Sequence, residues 1–188
     1  MTKLYFITHP SVTIDSSVPI DQWNLSEKGL EAANKLLEHD FIKEFGVIYS
    51  SAEPKAITVA EMVSSKINVP ITNKVKDLGE IRGRTFIPPE IFVEATKNWF
   101  DNPTQNINGW ESRDDTQKRI VDCVSKIMAS ENGKIVAIVG HGGTGTLLKC
   151  HIKGIEPLQT EDQPGQGCYF IADWDNQKLI QDWVKFSS

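Results

Sequence analysis

The sequence predicts a single α/β domain built on a mostly parallel central sheet with helices on both faces. Three observations carry that expectation. Short, unbroken runs of β-branched and apolar residues, each bounded by turn residues, recur along the chain as buried strands of a parallel sheet do. Longer amphipathic stretches separate them, which is the alternation of a βα chain. No linker, repeat or low-complexity segment interrupts the 188 residues, a length that one continuous core accommodates.

The elements follow in order. Leu4-Tyr5-Phe6-Ile7-Thr8 reads as the first strand and runs into His9-Pro10. The loop over residues 11–24 is longer than a usual βα connection, a length that often accompanies function. Ser26 is a suitable N-cap for a helix over residues 26–38, because its hydroxyl can accept from an unpaired N–H of the first turn. Residues 46–50 give a second short strand, and 53–66 a second helix that tolerates Pro54 in its first turn. A third strand is expected over 69–75, a loop carrying Glu80, Arg82 and Arg84 over 77–89, and a helix over 90–100. Residues 111–128 form the clearest amphipathic helix, with Ile120, Val124, Ile127 and Met128 on one face; that stripe reads as core. Residues 135–139 make the next strand, and a helix is expected from Thr144 to Lys153. The chain closes with a hairpin at one sheet edge: 168–174, a turn at Asp175-Asn176, then 179–186.

Composition narrows the function. A hydrophobic share of 39% and a charged share of 24% are those of a soluble globular protein. No apolar run is long enough to cross a bilayer, and the first nine residues lack a signal-peptide layout. The expectation is a cytoplasmic protein with no membrane partner. A net charge of −5 argues against nucleic acid as a partner, yet permits a local Lys/Arg cluster around a small anion. Cys123, Cys150 and Cys168 are odd in number and widely spaced, so neither a disulfide framework nor a metal cluster is indicated.

Two histidines say most about chemistry. His9 and His141 each stand at the C-terminal end of a predicted strand. Ligands of open α/β sheets bind beyond those ends, so two such imidazoles are expected to meet over one site. His39 and His151 read instead as solvated or internally satisfied. Gly140-His141-Gly142-Gly143-Thr144-Gly145 formally matches G-x-G-x-x-G and raises an NAD-type oxidoreductase as an alternative. That fingerprint opens a doubly wound domain, whereas only one helix and a hairpin fit before the end of this chain. The glycines also suit close approach of an anion to a helix N-terminus.

Four ordered segments go further: Phe6-Ile7-Thr8-His9-Pro10; Ile48-Tyr49-Ser50-Ser51 continuing to Lys55-Ala56; Asp77-Leu78-Gly79-Glu80; and Val139-Gly140-His141-Gly142-Gly143. Together with Leu25-Ser26-Glu27-Lys28-Gly29, they resemble the histidine phosphatase superfamily, also called phosphoglycerate-mutase-like, and residues 1–188 read as one such domain. The resemblance implies that fold, no cofactor and no metal. It implies metal-independent hydrolysis of a small phosphorylated molecule through a phosphohistidine on His9, with Glu80 as acid and His141 against the phosphate. Lys55 matches a phosphate-binding arginine of the superfamily, and the amides near Gly142 are further donors. Thr8 and Pro10 depart from its Arg-His-Gly start. Thr8, counted with the phosphate-binding residues, removes a cation beside the nucleophile; Arg82 and Arg84 read either as restoring it, Arg82 being favoured for its nearness to Glu80, or as ordinary surface arginines. The acid–base task of Glu80 calls for a raised pKa. Residues 162–167 and the Thr-His-Pro start look like a divergent bacterial branch. The alternatives are a non-catalytic phospholigand-binding protein and, less favoured on chain length and basic content, mutase-type transfer. Residues 85–89 with Phe92 and Trp99 read as either a lid or core.

Overall fold

The computed structural model describes residues 1–187. Six strands, β1 (Lys3–Thr8), β2 (Val47–Ser51), β3 (Ile71–Val75), β4 (Ile135–Gly140), β5 (Cys168–Asp173) and β6 (Lys178–Lys185), form one sheet of order β3-β2-β4-β1-β5-β6. β1 to β4 are mutually parallel, whereas β5 runs antiparallel to β1 and to β6. The C-terminal hairpin is thus the edge of an otherwise parallel sheet, as the sequence predicts. Five helices surround it: α1 (Glu27–Leu36), α2 (Pro54–Ile67), α3 (Pro89–Asp101), α4 (Arg113–Ser130) and α5 (Gly142–Lys153).

Alternation along β1 divides the core. Leu4 and Phe6 face one side with Ile120, Val124, Leu147 and Leu148 of α4 and α5. Tyr5 and Ile7 face the other with Leu36, Val59 and Val63 of α1 and α2. Successive strand residues point to opposite faces, and each fully buried aliphatic or aromatic side chain here contributes about 1.5–3 kcal/mol. Trp99 is core rather than lid: it is wholly buried, and its indole N–H donates to the Glu111 carbonyl at 2.8 Å.

Several element ends differ from expectation for local reasons. Pro70 has no N–H to give a ladder, and β3 begins after it, at Ile71. Ser26 caps α1 as expected, accepting the Gly29 N–H at 3.1 Å, but the helix stops at Leu36. Ser112 caps α4 through the Asp115 N–H, so that helix starts at Arg113. α5 starts at Gly142, two residues before the predicted Thr144, which makes His141 its N-cap. Among the described residues, no helix is long and apolar enough to cross a membrane.

The register positions the site. Thr8 pairs with Gly140 at the ends of β1 and β4, and the His9 N–H donates to the Gly140 carbonyl at 3.2 Å. The next residue of each strand is a histidine, so adjacency in the sheet brings His9 and His141 together.

Candidate active site

The two imidazoles meet edge to face, with ring centroids 5.2 Å apart. His9 Nδ1 lies 2.8 Å from the Pro10 carbonyl oxygen, an acceptor only, so Nδ1 carries the proton and Nε2 keeps its lone pair. Burial, then the neighbouring His141, push the His9 imidazolium down to about 3 from an ordinary 6.5. The ring is therefore neutral at physiological pH. Proline at position 10 forfeits an N–H but keeps the carbonyl that fixes this tautomer.

His141 is wholly buried. Its Nε2 lies 2.8 Å from Ser51 Oγ and 3.4 Å from Glu53 Oε1, while Nδ1 is buried without a partner. Burial lowers its pKa to about 3, against the opposing pull of Glu80. Lys55, in the first turn of α2, is also buried; its Nζ donates to Glu53 Oε2 at 2.5 Å and to the Ile20 carbonyl at 2.8 Å. Glu53 links three groups, since its Oε1 also accepts the Glu80 N–H at 2.8 Å.

Glu80 lies against the start of α5. Its carboxylate accepts the N–H of Gly143 at 3.3 Å and of Thr144 at 3.2 Å, and the Arg84 guanidinium is 3.6 Å away. A Cβ on Gly143 would stand 2.7 Å from Glu80 Oε1, and one on Gly142 would stand 2.2 Å from Gln163 Nε2. These glycines make room for a carboxylate and a carboxamide, which is their use in place of a dinucleotide loop. The raised pKa expected for Glu80 is not what its surroundings produce. Burial pushes it up, but the Arg84 cation first of all, with the Gly143 N–H, leaves it below the usual carboxylate value.

The two loop arginines separate. Arg84 lies between the rings of Phe92 and Trp110, 5.3 Å from each, and lines the cavity that holds His9 and Glu80. Arg82, the arginine the sequence favours, is exposed and pairs with Asp77 at 2.5 Å. Gly83 between them has a left-handed φ of 74°, a turn that sends the two side chains different ways. Thr8 is wholly buried, and its hydroxyl meets Gln163 Oε1 at 2.7 Å and the Cys168 N–H at 3.0 Å. His9, Lys55, Glu80, Arg84, Gly142 and Gly143 thus share one cavity of about 200 Å³, while Arg82 lies outside it and Thr8 behind it. His39 is satisfied by the Phe186 carbonyl at 2.8 Å, and His151 is exposed.

Sequence reasoning missed Ser51 and Glu53 as partners of His141, and Gln163. It also missed Arg119 of α4, whose guanidinium donates to the carbonyls of Asp77, Gly79 and Glu80 and so fastens the Glu80 segment. The available signal was an arginine directly beside the apolar face of an amphipathic helix.

A model of the histidine phosphatase superfamily (branch 1) matches residues 18–184. The chain belongs to that superfamily. The matched span begins after His9, so the divergent Thr-His-Pro start lies outside it. A relative from Hydrogenobacter thermophilus, named "Putative phosphoserine phosphatase 2", is 27% identical over 128 residues, 64% of this chain and 63% of the relative's length. A mycobacterial glucosyl-3-phosphoglycerate phosphatase, solved with inorganic phosphate, superposes with a TM-score of 0.79 at 18% identity, covering 100% of both chains. An Entamoeba histolytica phosphoserine phosphatase mutant in complex with phosphoserine gives 0.74 at 16% identity, covering 99% of this chain and 98% of the other. At those identities the likeness is one of fold. This superfamily member therefore has the phosphoglycerate-mutase-like fold and phosphatases among its relatives.

Proposed function

We propose that the chain is a metal-independent phosphomonoester hydrolase that turns over small phosphorylated molecules through a phosphohistidine on His9. The observation that carries this is the His9 tautomer: Nδ1 is held by the Pro10 carbonyl, which leaves a neutral Nε2 lone pair in a cavity it shares with Lys55 and Arg84. A neutral imidazole of that kind attacks phosphorus. The P–O bond to the leaving group breaks as the Nε2–P bond forms, and Glu80 gives its proton to the leaving oxygen. Glu80 then takes a proton from water, whose oxygen attacks phosphorus and releases His9 and inorganic phosphate. An arriving phosphate dianion raises the Glu80 pKa by like-charge repulsion, so the substrate itself moves this group toward the protonated form. Lys55 and Arg84 offset the charge of the equatorial oxygens, and the Gly142 N–H, the one at the start of α5 that Glu80 does not take, is a further donor to them. With the Ser51 hydroxyl donating to Nε2 of His141, the Nδ1 proton is a further donor for them.

Relatives named for phosphoserine and glucosyl-3-phosphoglycerate support the monoester class without choosing within it. The test is a phosphomonoester panel run in the presence of EDTA, with acid-quench trapping of the phosphoenzyme. His9→Ala is expected to lose both turnover and the acid-labile adduct. Undiminished turnover in His9→Ala, with contaminating phosphatase excluded, refutes the nucleophile. Saturable phosphate binding without turnover of any ester favours instead a phospholigand-binding protein, a reading to which the missing arginine at Thr8 lends weight.

A further inference from the structure

Residues 162–167 play no part in the chemistry above, yet they reach the centre of the site. Asp162 Oδ1 accepts the Gln163 N–H at 2.7 Å and the Thr146 hydroxyl at 2.8 Å, which ties this loop to α5. The Gln163 side chain then crosses the start of α5, filling the space a Gly142 side chain would need. Its amide oxygen meets the Thr8 hydroxyl at 2.7 Å, and Gln163 lines the same cavity as His9.

Thr8 holds the oxygen end of that amide. Thr8 Oγ1 accepts the Cys168 N–H at 3.0 Å and has one proton to give. Its two acceptors are Gln163 Oε1 at 2.7 Å and the Cys168 carbonyl at 3.2 Å. The structure gives the shorter contact to the amide oxygen, which leaves Nε2 on the Gly142 side, 2.2 Å from where a Gly142 Cβ would stand. Nε2 donates to no acceptor among the described residues.

We propose that Gln163 Nε2 donates to the transferring phosphoryl group, in the role left open where Thr8 replaces the usual arginine, and that Thr8 is the positioning residue that fixes the amide. The proposal rests on the phosphohydrolase reading. It accounts for two departures at once: the residue before the nucleophile has become a hydroxyl, and a remote loop supplies the amide that the hydroxyl orients. The replacement donor is neutral, so it binds the transition state without a further buried charge beside His9.

The test is calorimetric titration with inorganic phosphate and with orthovanadate, whose trigonal-bipyramidal adduct mimics the transition state. Gln163→Leu is expected to weaken orthovanadate by about 10²-fold, the scale of one oxyanion-hole donor, and inorganic phosphate by less. Gln163→Glu, which replaces the donor by a negative charge, is expected to abolish both. Thr8→Val should follow Gln163→Leu, Thr8→Ser should retain wild-type affinity, and the Thr8→Val/Gln163→Leu double variant should be no weaker than Gln163→Leu alone. Should Thr8→Val fail to fold, the Thr8→Ser and Gln163→Leu pair decides the matter. Orthovanadate affinity unchanged in Gln163→Leu, in a protein whose wild type binds it, overturns the Gln163 assignment alone. Additive losses in the double variant overturn the positioning role of Thr8. A wild type that neither binds orthovanadate nor forms a phosphohistidine overturns the phosphohydrolase reading itself.

Discussion

Arg82 and Arg84 leave the same loop two residues apart and end in opposite surroundings. Arg82 pairs with Asp77 where both side chains are more than half exposed, and such a pair contributes at most about 1 kcal/mol. Arg84 is held between two aromatic faces beside the Glu80 carboxylate, where each face adds about 0.5–2 kcal/mol. Arg82→Ala is therefore expected to leave phosphate affinity within about twofold, and Arg84→Ala to weaken it by about 10–10²-fold, the cost of a charge-assisted donor. Phosphate titration of the two variants at fixed salt checks this; equal losses, or none at Arg84, would contradict the assignment. Spacing alone favours Arg82, because it counts residues from Glu80 and takes no account of the left-handed turn at Gly83. The same blindness hid Gln163, whose partner Thr8 lies 155 residues away.

At the scale of elements, the sequence made the site's frame legible and its lining less so. Apolar runs and their polar borders locate all six strands, and the β1–β4 pairing turns two strand-end histidines into one site. The start of α5 is hidden in the sequence because glycine is a poor helix former, about 1 kcal/mol worse than alanine, so Gly142 and Gly143 read as loop. Tertiary packing overrides that preference: a carboxylate and a carboxamide lie where side chains would be. Glu53 and Arg119 escaped notice because what they hold, His141 and the Glu80 segment, is brought near only by folding. Gly143→Ala separates the two demands on this turn. Helix propensity favours the alanine, while its Cβ would stand 2.7 Å from Glu80 Oε1 and 3.2 Å from Ile81 Cδ1. The expected result is a small change in Tm with kcat lowered by about 10–10²-fold, since a displacement near 1 Å costs that much. Wild-type kcat in Gly143→Ala would show that the Glu80 position does not matter to the chemistry.

For the whole molecule, the site buries groups whose protonation differs between the folded and unfolded chain. His9 and His141 are neutral when folded, with pKa values lowered to about 3 from the ordinary 6.5. The unfolded chain therefore binds two more protons than the folded one between those limits. Stability from a depressed pKa is present above the unfolded value and is lost as pH falls toward the folded one. Two histidines give a slope of about 2.7 kcal/mol per pH unit near pH 5, large against a total of about 5–15 kcal/mol. Glu80, also held below its ordinary carboxylate value, acts in the same direction once the pH drops through the carboxylate range. Denaturant unfolding at pH 7, 6, 5 and 4 is thus expected to show stability falling steeply below pH 6.5, with the chain acid-unfolded while His9 is still neutral in the remaining folded fraction. The acid limb of kcat/KM, which reports the free enzyme, should accordingly lie well below 6.5 and merge with unfolding. A His9→Asn/His141→Asn double variant should flatten the stability profile. A flat profile in the wild type, or one that rises on acidification, would mean that the two imidazoles take up protons in the folded state. In the second case the folded-state pKa would lie above 6.5, and His9 would be largely cationic at the pH where it is proposed to attack phosphorus.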